Sequence, residues 1–301
     1  MANLIFNPTN GLWVNQDKPG GRVYFVSGGT TAAKGKAGSG LGGSDVHDGV
    51  TPERPLATIA QGITLAVAGR GDTICVLPGN VTITAAIAMS KADVTLTGTD
   101  PNGTINPAAI TVNGTIDGIA VTAANCVIEN LHFPASSAAA TSRINAGAAG
   151  LVVRGCTFEC GANDVESITI PAAGLHTTIL NNRFYVTANG PDAAIEIEAA
   201  GAHYIVIKDN EFNGMNDTNG WDVGAINSGV AHLSCLVSGN VNSFGPAIIF
   251  SAAATGMISD NDMGEGTLGS MLDPGSCMCT RNFEADAVDQ KAREFPTTAA
   301  S

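Results

Sequence analysis

The sequence predicts a parallel β-solenoid, a fold in which one chain winds into stacked coils of short strands. The first observation is a repeat in which an apolar residue is followed, three positions later, by a residue that is usually asparagine. The repeat centres are Leu131, Cys156, Asn182, Asn210, Asn240, Asn261 and Asn282. They lie 21 to 30 residues apart, which is too irregular for helical-hairpin repeats of constant length.

The second observation is a short apolar segment between most successive repeats. Examples are Ile168–Ile170, Ala194–Ile197 and Ala247–Phe250, each followed within a few residues by alanine or glycine. β-Branched runs without a 3.6-residue period favour strands over helices. A unit of strand, tight corner, strand and variable loop corresponds to one coil of a parallel solenoid.

The third observation is that residue types are kept in columns. Equivalent residues of successive coils stack about 4.8 Å apart, so identical side chains contact one another. The asparagine column is expected to form a hydrogen-bonded ladder at an inward corner, or else asparagine simply tolerates a left-handed corner backbone. A phenylalanine column is expected to stack in the interior. Its members are Phe133, Phe158, Phe184 and Phe212.

The chain begins with a predicted N-terminal arm at residues 1–22, rich in proline and glycine around Trp13. This tryptophan either docks on a neighbouring subunit or folds back over the end of the solenoid. Residues 23–71 comprise a first strand, a glycine-rich loop and a capping helix. The Gly35-Lys36 pair in that loop lacks the spacing of a phosphate-binding loop, which favours a flexible surface loop.

The capping helix is predicted from Leu56, Ile59, Ile63 and Val67, which recur at helical spacing after Pro55, where a helix could start. A short amphipathic helix can cover the open end of a solenoid. From Asp72 the coils follow, and the length of residues 72–284 divided by the repeat spacing gives about eight or nine of them.

The segment before and within this helix carries Asp45-x-x-Asp48-Gly49, then Pro55-x-x-Thr58-Ile59 and Ile63. It resembles the opening of right-handed parallel β-helix proteins of the pectate-lyase-like superfamily. The likeness extends from about residue 23 to 284. It implies a right-handed parallel β-helix and says little about function.

Residues 285–301 are expected to form a C-terminal strap and tail. The stretch 284–295 is rich in helix formers and ends before Pro296, which predicts a short helix or strap. It would cap the last coil or clip onto a partner.

Composition limits the partners. The formal net charge is −13, which argues against nucleic acid or an anionic membrane as a partner. No apolar run has the length of a membrane-spanning helix, and the first residues lack the basic n-region that is typical of a signal peptide. The seven cysteines are an odd number without zinc-site spacing, so buried free thiols are expected and no metal or cofactor is predicted.

The best candidates for acid–base chemistry are Glu196 and Glu198, which share an outward strand face about 6.5 to 7 Å apart. Asp192 and Asp222 are further candidate carboxylates, which are expected to lie on neighbouring coils. An alternating strand with outward glutamates is ordinarily a solvated face, and this interpretation is preferred. No catalytic residue is therefore assigned. The Lys208-Asp209 dipeptide, which contains a basic residue, is interpreted as part of a variable, solvated corner.

Two further groups are candidate binding residues. His176, His203 and His232 precede the asparagine of their coils by 6 to 8 residues, and stacked imidazoles can bind a metal. Their unequal offsets favour polar residues that line turns instead. Trp221, in the chemically varied loop 213–223, is a candidate for stacking on a carbohydrate.

Proteins with the fold that the resemblance implies include polysaccharide lyases, glycosidases, pectin methylesterases and bacteriophage spikes and surface proteins, so fold does not decide function. The calcium-binding carboxylate set of the lyases and the aspartate sets of the glycosidases are not evident here. The hypothesis is a noncatalytic structural protein of a bacteriophage virion, a capsid decoration protein or short tail spike. It would assemble in the host cytoplasm as a homotrimer on the capsid shell. The alternatives are a polysaccharide lyase or glycoside hydrolase acting in a groove, and a surface protein that binds host glycan.

Overall fold

The computed structural model describes residues 4–7, 12–15, 20–28, 42–99, 107–136, 140–162, 164–188, 192–214, 221–243, 247–251, 253–264, 272–285 and 292–294 of the 301-residue chain. In this part the helix is α1 (Ile59–Leu65). The strands, in chain order, are β1 (Leu4–Asn7), β2 (Leu12–Asn15), β3 (Val23–Val26), β4 (Thr73–Val76), β5 (Gly79–Ile83), β6 (Ile87–Met89), β7 (Thr95–Gly98), β8 (Ala108–Val112), β9 (Asp117–Val121), β10 (Val127–Glu129), β11 (His132–Phe133), β12 (Ala140–Asn145), β13 (Val152–Arg154), β14 (Thr157–Cys160), β15 (Asp164–Ile170), β16 (Thr178–Leu180), β17 (Arg183–Val186), β18 (Ala193–Ile197), β19 (Val206–Lys208), β20 (Glu211–Asn213), β21 (Gly224–Ser228), β22 (Cys235–Ser238), β23 (Val241–Ser243), β24 (Ile248–Phe250), β25 (Gly256–Ser259), β26 (Asp262–Met263), β27 (Leu272–Asp273), β28 (Met278–Thr280), β29 (Phe283–Ala285) and β30 (Ala292–Glu294).

The strands form three long sheets, and each coil contributes one strand to each sheet. The first sheet has the order β3-β4-β7-β10-β13-β16-β19-β22-β25-β28, the second β5-β8-β11-β14-β17-β20-β23-β26-β29-β30, and the third β6-β9-β12-β15-β18-β21-β24-β27. All neighbours pair in parallel except β29 with β30. The predicted right-handed parallel β-helix is confirmed. Outside these sheets, β1 and β2 form an antiparallel hairpin.

The asparagine ladder runs along the corner between the first and second sheets. The Asn182 backbone N–H and side-chain Nδ2 both donate to Oδ1 of Asn210, at 2.9 and 3.0 Å. The same pattern continues through Asn240 and Asn261 to Asn282. The ladder therefore satisfies corner amides that burial would otherwise leave unpaired.

The left-handed corner residues are the ones immediately before the ladder, not the ladder asparagines themselves. Asn181, Asp209, Gly239, Asp260 and Arg281 have φ between 49° and 68°. The ladder is thus maintained by side-chain hydrogen bonds, while the preceding position carries the strained backbone.

The phenylalanine column is confirmed as an interior stack. Successive rings of Phe133, Phe158, Phe184 and Phe212 lie 4.8, 4.7 and 5.0 Å apart between centroids and are nearly parallel. All four side chains are buried. The seven cysteines are also buried, as free thiols.

One charged pair lies inside the coils. Arg143 and Asp164 are both buried and their side chains approach to 2.6 Å. The guanidinium also donates to Ser167 Oγ and to the Pro134 carbonyl, each at 3.3 Å, and the carboxylate accepts from the Gly161 N–H at 2.6 Å. These bonds connect the loops that follow β11 and β14 to β12 and β15 of adjacent coils.

The predicted helix is present as α1, but it starts at Ile59 and not near Pro55. Thr58 is its N-cap, with Oγ1 accepting from the Gln61 N–H at 3.1 Å. Ile59 and Ile63 are buried against the first coils, whereas Val67 lies beyond the helix and is 48% exposed. Thr58, rather than Pro55, determines where the helix starts, because its hydroxyl accepts a hydrogen bond from the Gln61 N–H, which has no partner within the helix.

The opening motif has a structural role at this cap. The Asp45 carboxylate accepts from the N–H groups of Ala57 and Thr58 and from the Thr58 hydroxyl, at 2.9 to 3.0 Å. The carbonyl of Gly49, a residue with φ of 69°, accepts from the Phe25 N–H. The motif therefore fixes the capping segment to the first strand.

The C-terminal segment differs from the helical prediction. β29 and β30 pair as an antiparallel hairpin, with Phe283 opposite Glu294. The second sheet presents an edge whose backbone groups need partners, and pairing with that edge outweighs the local helix propensity. The alternative prediction of a strap describes these strands better.

Candidate functional site

The third sheet has an acidic outer face, which we define as Asp117, Glu166, Asp192, Glu196 and Glu198. Two rows of residues in register cross the strands of this sheet. One row aligns Asp117, Ser142, Glu166 and Ala193, and the next aligns Asn145, Thr169, Glu196 and Asn227. Ser142, Ala193 and Thr169 are buried, whereas Glu166 and Glu196 are partly exposed. Glu166 and Glu196 lie on adjacent coils and interact electrostatically.

Burial and mutual repulsion perturb this face. Burial, together with repulsion from the carboxylates of Glu196, Glu198, Asp192 and Asp117, raises the pKa of Glu166 to about 7. Burial likewise raises the pKa of Glu196 to about 7, with Glu198 and Asp192 as the repelling charges. The pKa of Glu198 is also raised, by burial and by Asp117. Like charges that share a site favour protonation of one another.

Hydrogen bonds distinguish the carboxylates. Asn227 Nδ2 donates to Glu196 Oε2 at 2.6 Å and so favours its charged form, although burial outweighs this effect. Asp117 accepts from Ser142 Oγ at 2.8 Å and from Asn145 Nδ2 at 2.9 Å. A face with two carboxyl groups of pKa near 7 can hold and release a proton at neutral pH.

The sequence prediction for this face is partly met. Glu196 and Glu198 do share it, and the charge of Asp192 raises the pKa of Glu196 but is not among the causes of the shift at Glu198. Asp222 is exposed before β21 and is not among the causes of any of the raised pKa values. The sequence analysis does not identify Glu166 as a member of this face. Alignment of Ile168–Ile170 with Ile195–Ile197 places Glu166 three residues before the position that pairs with Glu196.

The three histidines do not form a common site. His176 stacks on Tyr204 at 4.8 Å, and His203 Nδ1 accepts from the Leu233 N–H at 3.1 Å. His232 is fully buried, and burial lowers its pKa to about 4, with His203 adding a smaller repulsion. Among the described residues no group of three His, Cys, Asp or Glu side chains is placed to hold a metal ion.

The prediction that Trp221 offers a stacking surface is wrong, because this side chain is only 2% exposed. Its large apolar area is used in packing against the interior. Residues 215–220 of the same loop lie outside the described residues. Lys208 and Asp209 pair with each other at 3.4 Å on the surface, which agrees with a solvated corner.

The first sheet carries a second surface feature, an apolar column on its outer face. The column contains one residue from each of seven successive coils, all in register. Six of them are apolar, and the third is Thr178. The apolar members are Val127, Val152, Val206, Leu236, Met257 and Met278. Met257 and Met278 are 39% and 63% exposed. The column therefore ends in an uncovered apolar strip parallel to the coil axis.

Within the described residues no helix has the length and hydropathy needed to cross a membrane. No protein-family model matches the chain, and a search of curated proteins finds no match.

Comparison with solved structures finds similar folds. Pectate lyase Pel9A is 14% identical with a TM-score of 0.52, covering 93% of this chain and 81% of its own. A pectin methylesterase mutant in complex with a hexasaccharide is 10% identical with a TM-score of 0.44, covering 90% and 92%. Geobacillus virus E2 ORF18 is 11% identical with a TM-score of 0.42, covering 76% and 57%. The likeness to pectate lyase Pel9A, together with the three parallel sheets, shows that the chain has the right-handed parallel β-helix fold.

Proposed function

We propose that this chain is a structural component of a bacteriophage particle, exposed on the virion surface as a capsid decoration protein or short spike. In this role copies associate as a homotrimer and contact the capsid shell. The observation that carries the proposal is the apolar column on the first sheet. Contiguous exposed apolar surface on a soluble protein commonly marks a protein–protein contact.

The geometry of the column suits side-by-side assembly. Equivalent residues stack along the coil axis, so Leu236, Met257 and Met278 form a strip that a parallel copy can bury along its length. The asparagine ladder fixes the coils beneath this strip in one register through Asn240, Asn261 and Asn282. A rigid surface loses little conformational entropy when it is covered.

Light scattering on the purified full-length chain, and its copy number in purified particles of the encoding phage, test this role. We expect a trimer in solution and a constant stoichiometry per particle. Replacing Met257 and Met278 with glutamate should yield monomers, because the charges would have to be buried in the contact. The matched control is Val46→Glu, which charges an apolar side chain that is 89% exposed on the opening loop. A wild-type monomer that is absent from particles would overturn the proposal.

A second candidate function is a polysaccharide lyase or glycoside hydrolase acting on the acidic face. It is favoured by the pKa values of Glu166 and Glu196, both about 7. A protonated carboxyl group can donate to a glycosidic oxygen while an ionised neighbour accepts a proton or stabilises positive charge. The fold similarity to pectate lyase is compatible with such a groove and does not itself assign an activity.

Incubation with acidic and neutral polysaccharides distinguishes the two functions. Unsaturated-sugar absorbance detects a lyase, and new reducing ends detect either activity. Turnover that is lost in Glu196→Gln and in Glu166→Gln, but kept in Glu53→Gln at an exposed position before α1, would establish the enzyme and displace the structural role. Absence of product from every polysaccharide would remove the enzymatic candidate.

A further inference from the structure

A polar groove lies at the corner between the first and second sheets, away from the acidic face and the apolar column. It encloses about 440 Å³. Its lining comprises Cys156, Thr157, Asn181, Asn182, Arg183, Asp209 and Glu211. We propose that this corner groove binds a neutral sugar residue of a glycan, a function that goes beyond the structural role and does not depend on it.

The corner column explains why the surface is indented here. Asn130, Gly155, Asn181 and Asp209 occupy equivalent left-handed positions on successive coils, with φ between 53° and 60°. Gly155 carries no side chain, and a Cβ atom there would approach Asn130 Oδ1 to 3.0 Å. Gly155 therefore adds no side chain to this corner, and Asn181 on the next coil is exposed.

The backbone at the groove is already committed to the corner. The Asn181 N–H donates to the Lys208 carbonyl at 3.2 Å, and the Asp209 N–H donates to the Ser238 carbonyl at 3.0 Å. The inner amide of Asn182 belongs to the ladder. What remains for a ligand is the set of outward side chains, and these are held on a rigid base.

Those side chains provide both the hydrogen-bond donors and the hydrogen-bond acceptors that a pair of neighbouring sugar hydroxyl groups requires. Arg183 Nη2 and Glu211 Oε1 approach to 3.1 Å on adjacent coils, and their side chains are 55% and 44% exposed. A guanidinium has five N–H donors and a carboxylate has about four acceptor sites, so this contact leaves most of both sets available. Asp209 adds a second carboxylate, and Asn181 adds an exposed amide.

The charges at the groove favour a neutral ligand. Arg183 pairs with Glu211, and Asp209 pairs with Lys208 at 3.4 Å, so the groove carries no net positive charge, and the whole chain has a net charge of −13. Phosphate, sulfate or uronate therefore meets no excess of positive charge here. Sugar hydroxyls both donate and accept, so they can bridge the guanidinium and the carboxylates without carrying charge. The volume is within the range of small-molecule sites.

Ligand-detected NMR on the full-length chain tests the proposal with the methyl glycosides of glucose, galactose and mannose, and with galacturonate as the charged comparison. We expect saturation transfer to at least one neutral glycoside and a weaker effect for galacturonate. Titration should show affinity falling by about tenfold or more in Arg183→Gln, because a charged donor to the ligand is lost.

Arg281→Gln is the matched control. Arg281 forms the same kind of surface ion pair, with Asp260 at 2.6 Å, on the same corner but outside the groove. Unchanged glycoside affinity in this variant supports the assignment, and equal loss in both variants overturns it. Failure of all three neutral glycosides to bind, or a preference for galacturonate, also overturns it. Thermal unfolding of both variants identifies any loss that is due to misfolding.

Discussion

The acidic face predicts that the protein loses stability as the pH rises through neutrality, and Glu166→Gln should remove part of that loss. Burial and neighbouring carboxylates raise the folded-state pKa of Glu166 from an ordinary value of 4.5 to about 7. The folded state therefore binds more protons than the unfolded state between these values. The associated stability is fully present below pH 4.5 and is lost as the pH rises through 7.

The magnitude follows from the size of the shift. A difference of about 2.5 pKa units corresponds to about 3.4 kcal/mol for an isolated group. Glu166 is only half-buried and is coupled to Glu196, so screening and shared protonation reduce the effect of one substitution to about 1 to 2 kcal/mol. Glutamine keeps the shape and remains neutral at all pH values.

Urea unfolding at pH 4.5 and pH 8.5 measures the effect. We expect Glu166→Gln to match the wild type at the lower pH and to exceed its unfolding free energy by about 1 to 2 kcal/mol at the higher pH. The matched control is Glu53→Gln, since Glu53 is exposed on the opening loop. A variant that is less stable than the wild type at pH 8.5, or equally shifted at both pH values, would refute the reasoning about this face.

Three further predictions concern buried polar groups. Arg143→Met should lower the unfolding free energy by about 3 to 5 kcal/mol, because Asp164 is left as an unpaired buried charge, and adding Asp164→Leu should restore part of it in the same urea assay. Asn210→Ala should cost about 2 to 4 kcal/mol, since two donors of Asn182 lose their acceptor, and hydrogen exchange should quicken at the adjacent corner amides. His232→Phe should remove an acid-dependent loss of stability. The pKa of His232 is lowered by burial from 6.5 to about 4, so this stability is present above pH 6.5 and is lost as the pH falls through 4. Thermal melts at pH 4 and pH 7 check it, and an unchanged difference between them would contradict the assignment.

The interior of the fold was predictable because stacking repeats the same requirement on every coil. The ladder from Asn182 to Asn282 and the ring stack from Phe133 to Phe212 are both visible as columns in the sequence. The start of α1 at Thr58 was harder to predict, because the cap is completed by the distant side chain of Asp45.

The candidate site was only partly predictable because outward residues do not repeat. Glu166 interacts with Glu196 because the strand register places them on adjacent coils, and a local pattern does not reveal this register. Arg143 looks like a surface residue in the sequence and is buried, since its partner Asp164 lies on the adjacent coil. Trp221 looks like a surface tryptophan in a polar loop and is packed in the interior.

The separation of interior and exterior also predicts that the surface features can be altered independently. The acidic face lies on the third sheet, the apolar column on the first, and the corner groove beside the asparagine ladder, and they share no described side-chain partner. Changes at positions without common partners add within about 0.3 to 0.5 kcal/mol. Combining Glu166→Gln with Arg183→Gln should therefore give a stability change equal to the sum of the single changes, measured by urea unfolding at pH 8.5. A larger deviation would mean that the coils transmit strain between faces, and the rigid-base argument for the groove would then fail.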